Sequence, residues 1–178
     1  MKRFAIVAAV LAMCASVLDG QTPEMPKPGP EHQQLAAFVG NWTFEGEMKP
    51  GPMGPGGKMT GTDRIQWLPG QFFVERRFEG KGPMGEMKGI EIIGYDAAKK
   101  VHSYDFFDSA GMRGSGTMTA SGSTWTASGT VNMGGKVMHD RCTLTFGDDS
   151  TTLMIKCEMS PDGEAWAPSF EGKATKGK

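Results

Sequence analysis

Apolar and polar residues alternate with a period of two along almost the whole chain after Gln21, and segments rich in Gly and Pro separate the alternating runs. A period of two predicts β-strands that have one buried face and one solvated face. We distinguish about ten such runs joined by short turns, which favours sequential antiparallel hairpins. Because so many strands must hide their open edges, we predict an all-β fold, an antiparallel up-and-down β-barrel.

The predicted strands are spaced evenly along the chain. They cover residues 42–48, 58–68, 72–78, 86–95, 101–108, 112–120 and 125–133, then a hairpin at 142–157 and a last strand at 166–175. A short helix precedes the first strand, since Leu35, Phe38 and Val39 share one helical face and Gly40 can end the helix. In the last strand, Trp166 and Phe170 are predicted to point inward.

Residues 1–20 have the composition of a secretory signal peptide. Lys2 and Arg3 precede an apolar run, residues 4–18, that is too short for a permanent membrane span, and the small residue Gly20 offers a cleavage point. We therefore predict a periplasmic or secreted protein, with a Pro-rich linker at 21–30 and the barrel domain at 31–175. Two alternatives stay open: a buried N-terminal helix, and a lipoprotein anchored through Cys14.

The charge of the chain argues against two classes of partner. Cleavage near Gly20 removes Lys2, Arg3 and Asp19, which leaves 17 basic and 19 acidic residues and a net charge of −2. A nearly neutral chain does not favour nucleic acid or an anionic membrane surface. No second apolar segment is long enough to predict stable membrane insertion. The pattern leaves the oligomeric state open.

Two cysteines remain after cleavage, and their strands fold naturally about the turn at 147–151. One antiparallel register opposes Phe146 to Leu153, Leu144 to Ile155 and Cys142 to Cys157. Directly opposed residues are close enough for a disulfide, which an oxidising compartment would preserve. We predict a Cys142–Cys157 bond; the alternative is two buried free thiols.

The inward positions of the strands supply candidate ligand contacts, because a barrel of this size can hold one small molecule. We predict an apolar wall formed by Trp42, Phe44, Trp67, Phe72, Trp125 and Phe170. The polar contact would come from Arg76, or from His102 together with Tyr104. Arg76 shares a face with Val74 and Phe78, and a charge there must be paired or must meet an anionic ligand.

Two interpretations of Arg76 follow. The arginine could anchor the carboxylate of a fatty-acid-like ligand. It could instead be structural, stacked on Trp42 or paired with an inward acid such as Asp140. The spacing of residues does not decide between them.

The start of the first strand resembles a known signature. Gly40-Asn41-Trp42 resembles the Gly-x-Trp motif of lipocalins and their calycin relatives, in which the Trp closes the barrel floor. A wider set of motifs comprises residues 38–42, Leu68-Pro69-Gly70 with Phe72-Phe73, Gly94-Tyr95-Asp96 and Phe107-Asp108-Ser109. Together they are similar to the bacterial family numbered 1579 among domains of unknown function, over roughly residues 31–175. The resemblance implies a lipocalin-like barrel and brings no catalytic residues with it.

No motif for catalysis, for zinc or calcium, or for phosphate binding stands out. We therefore expect an exported barrel, without enzyme activity or cofactor, that binds a small apolar or amphipathic molecule in its interior. The main alternative is a ligand-free module with an interaction or structural role in the cell envelope.

Three further alternatives are weaker. Twelve of the 14 methionines lie beyond residue 20, and Met84 with Met87 could bind Cu(I), because thioethers are soft ligands. A distant resemblance to nitrobindin-type haem barrels would need an inward histidine, for which His102 is the candidate. An enzyme could also use the same pocket.

Overall fold

The structure is a computed structural model that describes residues 25–52 and 54–177. The predicted signal peptide, the lipidation alternative at Cys14 and residues 21–24 of the predicted linker lie outside the described residues. Within the described part of the chain, no helix is long and apolar enough to cross a membrane.

Ten antiparallel strands follow one another in chain order. Their bounds are β1 Gly40–Met48, β2 Gly57–Trp67, β3 Phe73–Gly82, β4 Gly85–Asp96, β5 Val101–Asp108, β6 Arg113–Ser121, β7 Thr124–Met133, β8 Lys136–Phe146, β9 Thr152–Ser160 and β10 Ala167–Lys176. Each strand pairs with the next, and β10 pairs with β1, so the sheet closes on itself. The prediction of an all-β, up-and-down antiparallel barrel is confirmed. Burial alternates along the strands as the period of two requires, as in β1, where Trp42 and Phe44 are buried and Thr43 is exposed.

A short helical segment covers one end of the barrel. It consists of α1, Pro30–Gln33, and a 3₁₀ turn, Gln34–Ala37. Leu35 is fully buried, and the Phe38 ring packs edge-on against Trp125 and Phe146, with ring centroids 5.0 and 5.1 Å apart. We call this the closed end. The opposite end, where β1 finishes and β2 begins, is called the open end.

Trp42 forms the floor at the closed end. Its indole Nε1 donates a hydrogen bond to the Phe38 carbonyl at 2.7 Å. The Lys176 ammonium lies 5.0 Å from the centroid of the indole ring and donates to the Ala37 carbonyl at 3.3 Å. The tryptophan of the Gly-x-Trp motif thus ties the helical segment, the first strand and the last strand together.

Glycines that face inward let aromatic rings lie flat against the wall of the barrel. A Cβ atom at Gly61 would lie 2.5 Å from the Phe44 ring, and one at Gly89 would lie 2.3 Å from the Phe78 ring. Similar contacts join Phe106 to Gly114, Tyr104 to Gly116 and Gly129, and Phe170 to Gly46 and Gly172. A ring that lies along the wall does not fill the lumen. This arrangement explains how a barrel rich in aromatic residues keeps an internal cavity.

Two predicted inward residues lie outside the strands. Phe72 was predicted to begin the third strand, but it lies in the turn before β3, where its ring packs edge-on against His32 at 5.1 Å. Trp166 precedes β10, and its indole donates to the Gly163 carbonyl at 3.0 Å. Its ring stacks against the Arg141 guanidinium, 4.2 Å from the ring centroid, on the outer face of the barrel.

The turn after β9 keeps Trp166 out of the last strand. The Asp162 carboxylate accepts backbone hydrogen bonds from Glu164 at 2.8 Å and Ala165 at 2.9 Å. These bonds hold the chain in a turn as far as Trp166 and delay the start of the last strand.

The disulfide predicted between Cys142 and Cys157 is present, with the two Cα atoms 4.1 Å apart. All three opposed pairs of the predicted register occur in the ladder between β8 and β9. The hairpin therefore folds about the predicted turn, and its disulfide faces the interior of the barrel.

Candidate functional site

An internal cavity of about 360 Å³ lies between the closed end and the open end. All ten strands contribute side chains to its lining. At about 30 Å³ per water molecule, the space equals about a dozen waters, and it falls at the lower end of the range usual for ligand pockets. The wall is mostly apolar, and a small group of charged and hydroxyl side chains faces the same space.

Five of the predicted ligand-contact residues line this cavity. They are Trp42, Phe44, Arg76, Tyr104 and Phe170. Trp42 belongs to the floor, while Phe44, Tyr104 and Phe170 lie flat over glycines of the neighbouring strands. Their orientation is dictated by the period of two, because each is an even-numbered residue on the inward face of its strand.

The other four predicted residues do not line the cavity. Trp67 is half-buried at the closed end, at the last position of β2, and packs against the core there. Phe72 lies in the turn before β3 and packs against His32. His102 and Trp125 are buried beneath the helical segment, with ring centroids 4.8 Å apart. His102 and Trp125 are on the inward face of their strands, but their positions along those strands place them in the packed layer at the closed end, which we call the plug.

His102 has a structural environment in this plug. Its Nε2 lies 2.9 Å from the Glu31 carbonyl oxygen, which can only accept, so this nitrogen carries the hydrogen. The imidazole packs edge-on against Tyr95 and Trp125. Burial lowers the pKa of His102. The arrangement holds a neutral histidine that fastens α1 to β5.

Arg76 is paired on both sides. Its Nη1 donates to Glu91 Oε2 at 3.0 Å, and its Nη2 lies 3.0 Å from Asp63 Oδ1. The guanidinium also lies 5.0 Å from the centroid of the Phe78 ring. Arg76 is therefore paired within the protein, as the structural interpretation predicted, but its partners are Asp63 and Glu91. Asp140 and Trp42 do not hold it.

Tyr104 and Asp140 form a second polar group in the cavity, and two glycines lie between them in the sheet. Tyr104, Gly116, Gly129 and Asp140 are cross-strand neighbours in one row over β5, β6, β7 and β8. A Cβ atom at either glycine would lie 2.6 Å from the tyrosine hydroxyl oxygen. With no side chains in the way, the ring crosses the row, and its hydroxyl donates to Asp140 Oδ2 at 3.2 Å.

The pKa values of this pair reflect their enclosure. Burial raises the pKa of the Tyr104 hydroxyl, and the neighbouring Asp140 carboxylate raises it further. Burial also raises the pKa of Asp140, with the Glu91 carboxylate adding to the effect. Asp140 Oδ1 is buried and has no hydrogen-bond partner among the described residues.

The sequence reasoning missed Asp63, Glu91 and Asp108 as lining residues. Asp63 could have been found, because it shares parity with Ile65 and the predicted inward side of the second strand. Glu91 lies in a run whose parity was ambiguous among three isoleucines. Asp108 ends β5 and caps the following turn, where its Oδ1 accepts from the Ala110 and Met112 backbone amides at 2.9 Å.

Methionines form a further part of the cavity lining, which the sequence analysis did not predict. Met59, Met87, Met112 and Met159 lie near the strand ends at the open end, and we call them the methionine mouth. Met87 of the suggested Cu(I) pair belongs to this group. Its proposed partner Met84 is 53% exposed in the turn between β3 and β4. Within the described residues, no cluster of three or more His, Cys, Asp or Glu could hold a metal ion.

A second concavity, of about 530 Å³, lies on the outer face of β6 to β10. Threonines, serine and charged residues form most of its lining. The lining of the internal cavity is more apolar than that of this concavity, so the internal cavity is the better candidate site for an apolar molecule.

Comparison with known proteins agrees with this fold. The family model described as "Protein of unknown function (DUF1579)" matches residues 27–176. The crystal structure of Rv2717c from M. tuberculosis superposes with a TM-score of 0.62 at 11% identity, over 84% of this chain and 99% of that one. A de novo designed fluorescence-activating β-barrel gives a TM-score of 0.45 at 15% identity, over 82% of this chain and 98% of the design. No curated protein matches the chain.

Proposed function

The chain belongs to the DUF1579 family, and from the geometry of its barrel we propose that it binds a small, mostly apolar molecule in the internal cavity. The observation that carries the proposal is the internal space of about 360 Å³ with a wall made mostly of aromatic and aliphatic side chains. Transfer of apolar surface from water into such a space is favourable at about 25 cal/mol per Å². On this proposal the protein holds its ligand chemically unchanged.

The inward glycines support the proposal. A barrel that served only as a solid module would be expected to fill its interior, since native cores are close-packed. Here Phe44, Phe106 and Phe170 instead lie against glycines, which keeps the lumen clear. The cost of several glycines in strand interiors is offset if the cleared space has an occupant.

The test is a binding titration with a neutral apolar fluorophore, N-phenyl-1-naphthylamine. We expect a saturable rise in its emission at one molecule per barrel. Ala127→Phe places a ring in the cavity, because Ala127 lines it, and should weaken binding roughly tenfold or more. Ser128→Phe is the matched control, since the adjacent side chain is exposed on the outer face and its substitution should leave the affinity within about twofold.

Equal binding by both variants, or no binding to the unaltered protein, would contradict the proposal. Thermal unfolding of each variant checks that it is folded. Native mass spectrometry of protein purified from its source should then recover a lipid-sized molecule in unmodified form.

The site of action that we propose is the periplasm or the extracellular space. The Cys142–Cys157 disulfide supports this, because such bonds persist in oxidising compartments. N-terminal sequencing of the protein from its source should find a start near Gln21. A protein that retains residues 1–20 would contradict the proposal.

A second candidate function is an interaction module, and one surface feature favours it. Phe73, Ile90 and Phe107 are 46%, 37% and 49% exposed on the outer face of β3 to β5, where Ile90 and Phe107 are directly opposed. Exposed apolar groups of this kind are common at contact surfaces. Sedimentation that shows self-association, lost in Phe107→Ser, together with no fluorophore binding, would favour this function over the first.

A further inference from the structure

The charged side chains that line the cavity are unequal in sign. Asp63, Glu91, Asp108 and Asp140 face it, and Arg76 is the one basic residue among the described lining residues. The lumen therefore has a surplus of negative charge inside an apolar wall, where charges interact more strongly than in water. This surplus bears on which ligand the cavity can accept.

Arg76 is not available to bind an anionic ligand. Its two terminal nitrogens already contact the Glu91 and Asp63 carboxylates, each at 3.0 Å. A fatty-acid carboxylate would have to displace one of these partners and would leave a buried carboxylate unpaired. Breaking a buried ion pair in this way is costly. The suggestion of a carboxylate anchor at Arg76 therefore conflicts with the geometry.

Asp140 presents a buried acceptor that the surrounding protein does not use, and Asp108 Oδ2 at the end of β5 is another. Tyr104 donates to Oδ2, while Oδ1 is buried and has no hydrogen-bond partner among the described residues. The cross-strand neighbours of Asp140 are Gly129, over which the Tyr104 hydroxyl lies, and Met159, which cannot donate a hydrogen bond from its side chain. A buried acceptor without a donor is unfavourable, so a ligand that supplies a donor gains that energy on binding.

We infer that the ligand is an apolar amine, whose protonated nitrogen donates to the Asp140 carboxylate while its hydrocarbon part lies against the aromatic and methionine wall. This inference rests on the proposed function, because it names the class of molecule that occupies the same cavity. The cation balances part of the negative surplus from Asp63, Glu91 and Asp108. Burial raises the pKa of Asp140, which is the expected state of a carboxylate enclosed without a cation beside it.

The test compares three molecules of equal chain length and different head groups, octylamine, octanol and octanoate, by isothermal titration at neutral pH. We expect octylamine to bind roughly tenfold more tightly than octanoate, with octanol between them. Asp140→Asn keeps the shape of the side chain and removes its charge. It should weaken octylamine binding roughly tenfold and change octanol binding by less than about twofold.

The matched control is Asp105→Asn on the same barrel, because Asp105 is exposed on the outer face of β5. It makes the same change in net charge and should leave all three affinities unchanged. If Asp140→Asn does not fold, the ranking of the three molecules on the unaltered protein carries the test.

The outcomes separate the two proposals. If octanoate binds as tightly as octylamine, or if Asp140→Asn leaves the octylamine affinity unchanged, the amine inference is wrong, and binding of octanol still upholds an apolar carrier. If none of the three molecules binds, both the amine inference and the carrier function are overturned.

Discussion

At the scale of single residues, the imidazole of His102 makes the stability of the barrel depend on pH. Burial lowers the pKa of this side chain below its usual value of 6.5, although the Glu31 carbonyl partly opposes the shift. Below about pH 6.5 the unfolded chain takes up a proton that the folded state resists. The contribution of His102 is therefore fully present above pH 6.5 and is lost as the pH falls.

The expected result is a free energy of unfolding that falls more steeply between pH 7 and 5 in the unaltered protein than in His102→Gln. Glutamine can still donate to the Glu31 carbonyl but does not titrate. The difference in slope cannot exceed about 1.4 kcal/mol per pH unit, the limit for one proton. Urea unfolding at a series of pH values measures it.

His139→Gln is the matched control for this experiment. His139 lies on β8 and shares the outer face of that strand with Arg141, away from the plug. Each variant replaces one histidine and keeps every other titratable group of the chain. Identical slopes for the unaltered protein and His102→Gln would contradict the assignment of a buried neutral imidazole.

At the scale of the strands, the paired glycines of β6 and β7 determine where the Tyr104 ring can lie. A Cβ atom at Gly116 would come within 2.3 Å of the Ser128 carbonyl oxygen and within 2.6 Å of the tyrosine hydroxyl. Gly116→Ala must therefore push the strands apart or drive the ring into the lumen. We expect a loss of about 1–3 kcal/mol, typical of overpacking.

Thermal unfolding measures this loss, as a fall in the melting temperature of about 2–4 °C per kcal/mol for a chain of this length. The affinity for the apolar fluorophore should fall at the same time, because the displaced ring occupies the cavity. Gly51→Ala is the control, since nothing lies within 4 Å of a Cβ atom there. A Gly116→Ala protein as stable as the control would show that the row does not constrain the ring.

The disulfide between β8 and β9 provides a second prediction at this scale. It closes a loop with a sequence separation of 15, for which the loss of unfolded-state entropy stabilises the fold by about 3 kcal/mol. Replacing both cysteines by alanine should lower the free energy of unfolding by about this amount. A reductant should lower the melting temperature of the unaltered protein and leave the double variant unchanged. If the reductant affects both equally, the bond is not the cause.

The alternating pattern determines the faces and the register of the strands, but not how deep a residue lies in the barrel. Alternation of apolar and polar residues predicted the faces of β1 and the register of β8 with β9, because a slip of one residue would expose a whole buried face. Alternation says nothing about depth along the barrel. It therefore could not tell that His102 and Trp125 belong to the plug while Tyr104 lines the cavity. The pairing of Arg76 depends on Glu91, which is directly opposed on β4, and on Asp63, which is diagonal on β2, and the pattern of a single strand shows neither neighbour.

At the scale of the whole molecule, the two ends of the barrel differ, and the difference suggests how a ligand reaches the cavity. The closed end is packed by the helical segment, with Leu35 at 0% exposure and Phe38 at 4%. The lining continues to the strand ends at the open end, where the methionine mouth lies. Unbranched thioether side chains adapt to different shapes, so these methionines provide a wall that a ligand can pass.

Oxidation should therefore close the protein to apolar ligands. Peroxide converts a methionine thioether into a polar sulfoxide, which would make the methionine mouth unfavourable for a hydrocarbon. We expect peroxide treatment to lower fluorophore affinity several-fold while the circular dichroism spectrum stays that of a β-protein. The control replaces Met59, Met87, Met112 and Met159 by leucine, which conserves volume and does not oxidise. Met154, 44% exposed on the outer face, still oxidises in that variant, so mass spectrometry can verify the treatment. Equal loss of binding in both proteins would place the access route elsewhere.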